Sequence, residues 1–178
     1  MKQIQISGNS DGSRKIFKIY DDLLSEKERQ KIYDNLELRN INVKEYDRSD
    51  TPSVGTSMDL FAGDLVYDKL LKFIRTFDEI LDNKVCRVYV NKFSPDEKPY
   101  WHNDGDVITV LYYPNMEFDL DNLGETQFLE DNKTITAVFP VPGRFVVFDG
   151  RILHRATTFR KGYRYTVAYK LNRIGNQS

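Results

Sequence analysis

The second half of the chain alternates between short apolar segments and turn residues, and this pattern limits the folds open to it. From Val85 onward the segments are rich in β-branched and aromatic residues, which favour strands. Turn residues such as Pro142-Gly143 and Lys161-Gly162 separate them. Short strands divided by turns are typical of antiparallel sandwiches and barrels. Strands are predicted at residues 85–93, 107–113, 126–129, 134–139, 144–148 and 163–171.

Two helices are predicted before these strands. Ser25-Glu26-Lys27-Glu28 has the form of a capping box, so a helix should begin there and run to about Leu38. Asp64 can cap a second helix with one apolar face. Helices followed by strands indicate an α+β domain in which two N-terminal helices back a mainly antiparallel β structure. The apolar face of the second helix is predicted to contain Val66, Leu70, Phe73, Phe77 and Leu81.

Residues 40–62 are predicted to form a long mobile loop. The segment is polar and contains Pro52 and Gly55. Loops of this length inside a domain are often functional, so it is a candidate lid that closes over substrate. Shortening a lid should reduce turnover while leaving metal and co-substrate binding nearly intact. The alternative is a passive surface excursion.

Size and charge narrow the classes of function. A chain of 20.9 kDa fits one domain, residues 1–178, with a helical support at about 21–82 and a β core at about 85–172. The net charge of −1 provides no chain-wide attraction to nucleic acid or to an anionic membrane. No apolar run reaches transmembrane length, and residues 1–15 lack the apolar stretch of a secretory signal. We therefore expect a cytoplasmic protein, with the single cysteine, Cys86, as a buried reduced thiol.

The two histidines of the chain stand in a pattern that suits a metal site. His102 opens the triplet His102-Asn103-Asp104, in which the first and third side chains point to the same side of an extended backbone. His154 follows an apolar strand and a turn. Two neutral imidazoles and one carboxylate form the facial triad of non-haem iron(II), which leaves positions open for a co-substrate and oxygen. The alternatives are two unrelated histidines, or Asp106 as the carboxylate in place of Asp104.

Arg164 and Thr166 lie on one face of the last predicted strand. A guanidinium group binds a carboxylate through two parallel hydrogen bonds, and a neighbouring hydroxyl can add a third. Tyr113, on a facing strand, could supply a phenol to the same place. The alternative for Arg164 is an ordinary exposed cation, which the flanking Tyr163 and Tyr165 disfavour.

Taken together, residues 87–171 resemble the catalytic core of the iron(II)- and 2-oxoglutarate-dependent oxygenases, in particular the prolyl-4-hydroxylase-like branch. Arg164 falls at that family's anchor position for the distal carboxylate of 2-oxoglutarate, and Glu125 departs from a glycine of the family pattern. The segments that carry the resemblance are His102-Asn103-Asp104, Thr109-Val110-Leu111-Tyr112-Tyr113, Gly124-Glu125-Thr126-Gln127-Phe128, Gly143-Arg144-Phe145-Val146-Val147-Phe148 and His154.

The resemblance implies a double-stranded β-helix of the jelly-roll or cupin-like type, with the metal at the open end of the barrel. It also implies a reaction in which Fe(II), O2 and 2-oxoglutarate hydroxylate a C–H bond and release succinate and CO2, with ascorbate as a candidate reductant. The implied substrate is a peptidyl residue of a peptide or protein, proline above all, or a free amino acid. The alternatives are a nucleic-acid or small-metabolite oxygenase of the same fold and a non-catalytic β-barrel binding module.

For the site residues, the resemblance implies three iron ligands: His102, Asp104 and His154. Tyr89 and Asn91 precede the metal triplet and could contact the iron-side carboxylate of the co-substrate, with ordinary packing as the alternative. The complete set of candidate co-substrate contacts is Arg164, Tyr113, Thr166, Tyr89 and Asn91.

Overall fold

The computed structural model describes residues 2–5, 17–130 and 133–173. Two α-helices lie in the N-terminal half of these residues, and most strands follow them. The helices are α1 (Glu26–Glu37) and α2 (Leu65–Ile74). The strands are β1 (Lys2–Gln5), β2 (Phe17–Asp21), β3 (Val43–Lys44), β4 (Thr56–Asp59), β5 (Val85–Phe93), β6 (Val107–Tyr112), β7 (Thr126–Leu129), β8 (Ile135–Val138), β9 (Phe145–Asp149), β10 (His154–Ala156) and β11 (Arg164–Asn172).

Both predicted helix starts are confirmed by their caps. The Ser25 hydroxyl accepts from the Glu28 N–H at 3.4 Å, and the Glu28 carboxylate accepts from the Ser25 N–H at 3.0 Å, which completes the capping box. Glu28 also forms an ion pair with Lys69 of α2 at 2.7 Å. Asp64 caps α2 by accepting from the Val66 N–H at 2.8 Å. These side chains therefore fix where each helix begins.

Helix α2 is shorter than its apolar spacing predicts. It ends at Ile74, and the Arg75 guanidinium then donates to the backbone oxygens of Leu81 and Asn83, which stabilises a turn in place of a further helical turn. Phe77 reaches the core from this turn and stacks on Tyr20 with ring centroids 4.1 Å apart. Leu81 is 44% exposed, so its predicted place on the apolar face is wrong.

The strands form two antiparallel sheets, which confirms the predicted double-stranded β-helix. The larger sheet has the strand order β1-β2-β9-β6-β11-β5-β4-β3, and the smaller one has the order β10-β7-β8. The helices pack on one face of the larger sheet, where they share a core with its alternate side chains. The smaller sheet packs against the other face, with Phe128 and Val138 in a second core. The site lies on this second side.

Alternation along β11 shows how the sheet separates core from site. Tyr165, Val167 and Tyr169 contact the helical core, whereas Ala168 contacts the core of the smaller sheet. Successive side chains of a strand point to opposite faces. Arg164, Thr166 and Lys170, which share a face of β11 with Ala168, therefore face the space between the two sheets.

The prediction that residues 40–62 form one long loop is wrong at residues 43–44 and 56–59, which form strands β3 and β4. Strand β4 pairs with β5 along its length, and β3 pairs with β4. Ser57 is 2% exposed and Val54 is 6% exposed, so both are buried. The Thr56 hydroxyl also donates to the Ile41 oxygen at 2.9 Å. The segment extends the larger sheet because β5 would otherwise present an unpaired edge.

None of the helices in the described ranges has the length and apolar character needed to span a bilayer.

Candidate active site

The two histidines meet through their backbones, although 52 residues separate them in the sequence. The His102 N–H donates to the His154 oxygen at 3.0 Å, and the His154 N–H donates to the His102 oxygen at 2.9 Å. Two residues on, the Asp104 N–H donates to the Gly150 oxygen at 2.7 Å. This short antiparallel pairing brings the metal triplet next to β10, so that the side chains of His102, Asp104 and His154 lie close together.

Hydrogen bonds to carbonyl oxygens orient both imidazole rings. His102 Nδ1 lies 3.0 Å from the Tyr100 oxygen, and His154 Nδ1 lies 2.8 Å from the Ile152 oxygen. A carbonyl oxygen can only accept, so each Nδ1 carries the proton and each Nε2 keeps a free lone pair. These Nε2 atoms lie 3.9 and 3.6 Å from the two oxygens of Asp104. One ligand atom from each of the three residues lies within 4.8 Å of the others.

The charge states of His154 and Asp104 suit a divalent metal. Burial lowers the pKa of His154 to about 4, against the opposing effect of Asp104, so this imidazole is neutral at pH 7. Burial would raise the pKa of Asp104, but Lys170 and His154 outweigh it and hold that pKa below its usual value. Asp104 is therefore ionised. Two imidazole nitrogens and one carboxylate are a donor set that fits iron(II).

Arg164 is buried at the inner end of the same cavity. Its side chain is 1% exposed; Nε donates to the Gly124 oxygen at 2.7 Å and Nη2 donates to the Thr126 hydroxyl at 3.0 Å. Within residues 2–5, 17–130 and 133–173, no carboxylate lies at ion-pair distance from it. Burial lowers the pKa of Arg164, while Tyr113 and Glu125 raise it. A buried cation without a paired anion is unfavourable, so this position fits the carboxylate of a ligand.

Tyr113 reaches the site through another side chain. Its hydroxyl donates to Thr126 Oγ1 at 2.7 Å, and its ring lies 5.7 Å from the Arg164 guanidinium carbon. Thr126 Oγ1 thus accepts from both Tyr113 and Arg164, which leaves its own proton to donate elsewhere. Sequence reasoning named Thr126 only as part of a motif. Its alternation with the buried Phe128 in β7 was the signal that it faces the space between the sheets.

One cavity of about 390 Å³ joins these groups, a volume in the range of small-molecule sites. Tyr113 is the only predicted site residue that does not line it among those the structure describes. Asn91 Oδ1 is buried and has no hydrogen-bond partner in the described part of the chain, which leaves it able to accept from a ligand. The predicted residues that line the cavity are His102, Asp104, His154, Arg164, Thr166, Tyr89 and Asn91.

Two residues that sequence reasoning did not assign to the site also touch the metal triad. Asp47 Oδ1 lies 3.4 Å from His102 Nδ1, and its Oδ2 accepts from the Tyr100 N–H at 2.6 Å. No sequence signal identifies Asp47, because it lies in the segment predicted as a loop. Lys170 forms an ion pair with Asp104. Here a signal existed: Lys170 shares a strand face with Arg164.

The Lys170 ammonium is embedded among oxygen atoms. Burial would lower the pKa of Lys170, but the Tyr89 hydroxyl and the Asp104 carboxylate raise it above its usual value, so the side chain is charged. The prediction that the neighbouring Cys86 is buried is wrong. Its thiol is exposed at the cavity and donates to the Lys170 oxygen at 3.2 Å, because this stretch of β5 forms the cavity wall.

Asp106, the rival carboxylate, lies outside the triad. Its Oδ1 is 2.8 Å from Arg173 Nε, and its side chain is 49% exposed. Gly105 separates it from Asp104 and has a φ of +79°, a conformation that glycine adopts freely. The chain turns there, so Asp104 faces the histidines and Asp106 faces the arginines near the end of β11.

No family model matches the sequence, and no curated protein matches it significantly. Solved structures do match the fold. A prolyl-4-hydroxylase from Pseudomonas putida aligns with a TM-score of 0.71 at 15% identity, covering 88% of this chain and 92% of that one. The chain has the fold of the prolyl-4-hydroxylase-like oxygenases. The described strands and helices therefore agree with the resemblance seen in the sequence.

Two further structures of this fold were determined with ligands bound. The viral collagen prolyl hydroxylase of Paramecium Bursaria Chlorella virus-1 was solved as a 2-oxoglutarate complex. It aligns with a TM-score of 0.69 at 18% identity, and the alignment covers 94% of this chain and 100% of that one. HygX from Streptomyces hygroscopicus, with nickel and 2-oxoglutarate bound, aligns with a TM-score of 0.67 at 12% identity, covering 89% and 83%.

Proposed function

We propose that this protein is an Fe(II)- and 2-oxoglutarate-dependent dioxygenase that hydroxylates a C–H bond. The observation that carries the proposal is that the ligand atoms of His102, Asp104 and His154 share one cavity with Arg164, which is buried and has no carboxylate at ion-pair distance among the described residues. A metal site alone fits many proteins. A metal site with a separate buried guanidinium fits a ligand that binds a metal at one end and carries a carboxylate at the other.

The structural relatives support this choice of ligand. One is a 2-oxoglutarate complex, and another holds nickel and 2-oxoglutarate together. The dicarboxylate shape of 2-oxoglutarate suits the distribution of polar groups in the cavity described above. The residues of this chain that fit such a ligand are the metal triad and Arg164.

Each polar group has a distinct part in the proposed reaction. His102, Asp104 and His154 would hold Fe(II), which when bound supplies the activation of O2 for C–H hydroxylation. Arg164 would pair with the distal carboxylate of 2-oxoglutarate, and the free proton of Thr126 can donate to the same group.

Further hydrogen bonds hold the side chains of the proposed site in place. Tyr113 orients Thr126 through its 2.7 Å hydrogen bond. The Tyr100 and Ile152 oxygens fix the imidazole tautomers. Leu111 and Phe93 form apolar parts of the cavity wall, and such walls limit the access of water to the reacting centre.

For the substrate we propose a peptidyl residue, proline first, or a free amino acid. Among the structures of this fold is a prolyl hydroxylase from Trichoplax adhaerens in complex with a hypoxia inducible factor peptide fragment. HygX was also solved with hygromycin B bound, which makes a small molecule the second candidate. Tyr46 and Arg87 line the cavity at its outer side, where a substrate of either kind would enter.

The test is turnover of 2-oxoglutarate by the purified protein. With Fe(II), ascorbate and O2, we expect succinate formation, and the addition of prolyl peptides, amino acids or small metabolites should yield a product one oxygen atom heavier. Asp104→Ala should abolish turnover, while the matched variant Asp106→Ala should retain it, since Asp106 lies outside the triad. Absence of both 2-oxoglutarate binding and succinate in the wild-type protein would contradict the proposal.

A further inference from the structure

Lys170 is a buried cation beside the proposed metal ligands, and nothing in the proposed reaction so far employs it. It lies in β11 opposite Thr109 of β6, in the pairing of these two strands. The residue is 9% exposed and lines the cavity. A lysine ammonium buried this deeply needs hydrogen-bonding or ionic partners, since burying an unpaired charge is costly.

Two polar partners of the Lys170 ammonium belong to the metal triplet and to the neighbouring strand β6. The ammonium contacts Asp104 Oδ2 and donates to the Thr109 hydroxyl at 3.2 Å, and it lies 5.6 Å from the centroid of the Tyr89 ring. A primary ammonium has three donors and no acceptor. Two of these donors are thus directed at Asp104 and at Thr109, whose hydroxyl donates to the same oxygen of Asp104.

The two oxygens of Asp104 differ in their surroundings. Oδ2 accepts from the Thr109 hydroxyl at 2.6 Å and also contacts the Lys170 ammonium. Oδ1 accepts no hydrogen bond from the described residues, and it lies 3.9 Å from His102 Nε2. One oxygen is thus occupied by two donors, whereas the other is free to act as a ligand.

We propose that Lys170 is a positioning residue that, with Thr109, occupies one oxygen of Asp104 so that this carboxylate offers a metal a single oxygen. This inference rests on the proposed metal site. A carboxylate can bind a metal through one oxygen or both. A facial triad works because its remaining positions stay open, and a second oxygen of Asp104 would occupy one of the positions that a chelating co-substrate needs.

The test uses Mn(II), which takes the same ligands and relaxes the protons of the water molecules bound to it. In Lys170→Met, Asp104 can bind through both oxygens and displace one bound water. The Mn(II)-dependent relaxation of water protons should then fall by about one third, since three open positions become two. The dissociation constant of 2-oxoglutarate for the Mn(II) protein should rise by about tenfold or more.

Two further variants make the test specific. Thr109→Val removes the other donor to Oδ2 with little change of shape, so it should shift both quantities in the same direction by less. Lys92→Met is the matched control: Lys92 lies on β5 with its ammonium 3.9 Å from the Tyr163 ring centroid, away from the cavity, so both quantities should equal those of wild type.

The outcomes separate this inference from the proposed function. Unchanged relaxation and unchanged 2-oxoglutarate affinity in Lys170→Met would overturn the role of Lys170. If circular dichroism shows that Lys170→Met does not fold, Thr109→Val decides in the same way. A wild-type protein that binds Mn(II) but not 2-oxoglutarate would overturn the proposed function, while the relaxation measurement would still decide on Lys170.

Discussion

Replacing Asp47 should weaken metal binding even though Asp47 is not itself a proposed ligand. Its Oδ1 lies 3.4 Å from His102 Nδ1, and its Oδ2 accepts from the Tyr100 N–H at 2.6 Å, so one carboxylate supports both the ring and the backbone before it. The side chain is 8% exposed, which strengthens both contacts by excluding water. Asp47→Ala removes them together.

The expected loss of metal affinity in Asp47→Ala follows from these two contacts. Loss of a carboxylate that orients a metal-binding histidine lowers metal affinity by about 10- to 100-fold. That range corresponds to about 1.4–2.7 kcal/mol. The Tyr100 N–H loses its acceptor as well, at a cost of about 1–3 kcal/mol if it stays buried. Part of this second cost falls on folding, so the melting temperature should also decrease. Asp47→Asn keeps the shape and one acceptor and should have the smaller effect.

Titration calorimetry of the metal-free protein with Mn(II) or Fe(II) under anaerobic conditions measures this effect directly. Asp50→Ala is the matched control, because it removes the same charge from the same segment. Asp50 pairs with Arg48 at an exposed position and does not line the cavity. A metal affinity for Asp47→Ala within about twofold of that of Asp50→Ala would refute the reasoning, since a real orienting contact is worth about tenfold or more.

Three other perturbations have defined outcomes. Arg164→Met should raise the 2-oxoglutarate dissociation constant by about 30-fold or more, because losing a buried charge-assisted pair costs about 2–5 kcal/mol. Calorimetry should show unchanged metal affinity in this variant. An unchanged dissociation constant of 2-oxoglutarate would mean that Arg164 has only a structural role. Deletion of residues 45–55 should weaken Mn(II) binding as well as turnover, contrary to a separable lid, because it removes Asp47 together with the connection between β3 and β4. Intact metal binding would restore the lid interpretation. In the metal-free protein, burial lowers the pKa of His154 from 6.5 to about 4, so the unfolded chain takes up a proton before the folded one as the pH falls. The free energy of unfolding should therefore decrease by on the order of 3 kcal/mol between about pH 6.5 and pH 4, and urea titrations should show a flatter profile in His154→Gln, whereas an identical profile would contradict this account.

Local patterns in the sequence were enough to predict both helix starts and many of the strands. The Ser25 and Asp64 caps depend on side chains within three residues of the helix they begin, so both could be predicted. Strand β5 was predicted with the bounds that the structure has, because its β-branched and aromatic residues and the turn residues that follow it are properties of the segment itself. The prediction failed at β4, in which three of the four residues are polar and which forms a strand because β5 offers it an edge.

The site divides in the same way between local and long-range causes. A triplet with His102 and Asp104, and an arginine inside an apolar strand, are visible in the sequence because each is a short motif on one element. That all of these line one cavity with His154 depends on the pairing of His102 with His154 and of β11 with β5 and β6. The order of strands in the sheets decides such neighbours, and no single segment encodes it.

The side chains that contact the metal triad could be identified only from the tertiary structure. Asp47 meets His102 across 55 residues, and Lys170 meets Asp104 across 66. Neither contact has a local pattern, because each is made by a side chain on one element and a side chain on another. The sequence by itself determined where the two helices begin, six of the strands and the metal-binding motif. Only the tertiary structure decided which acid orients His102, which cation holds Asp104 and which face exposes Cys86, since these depend on distances between elements that packing alone sets.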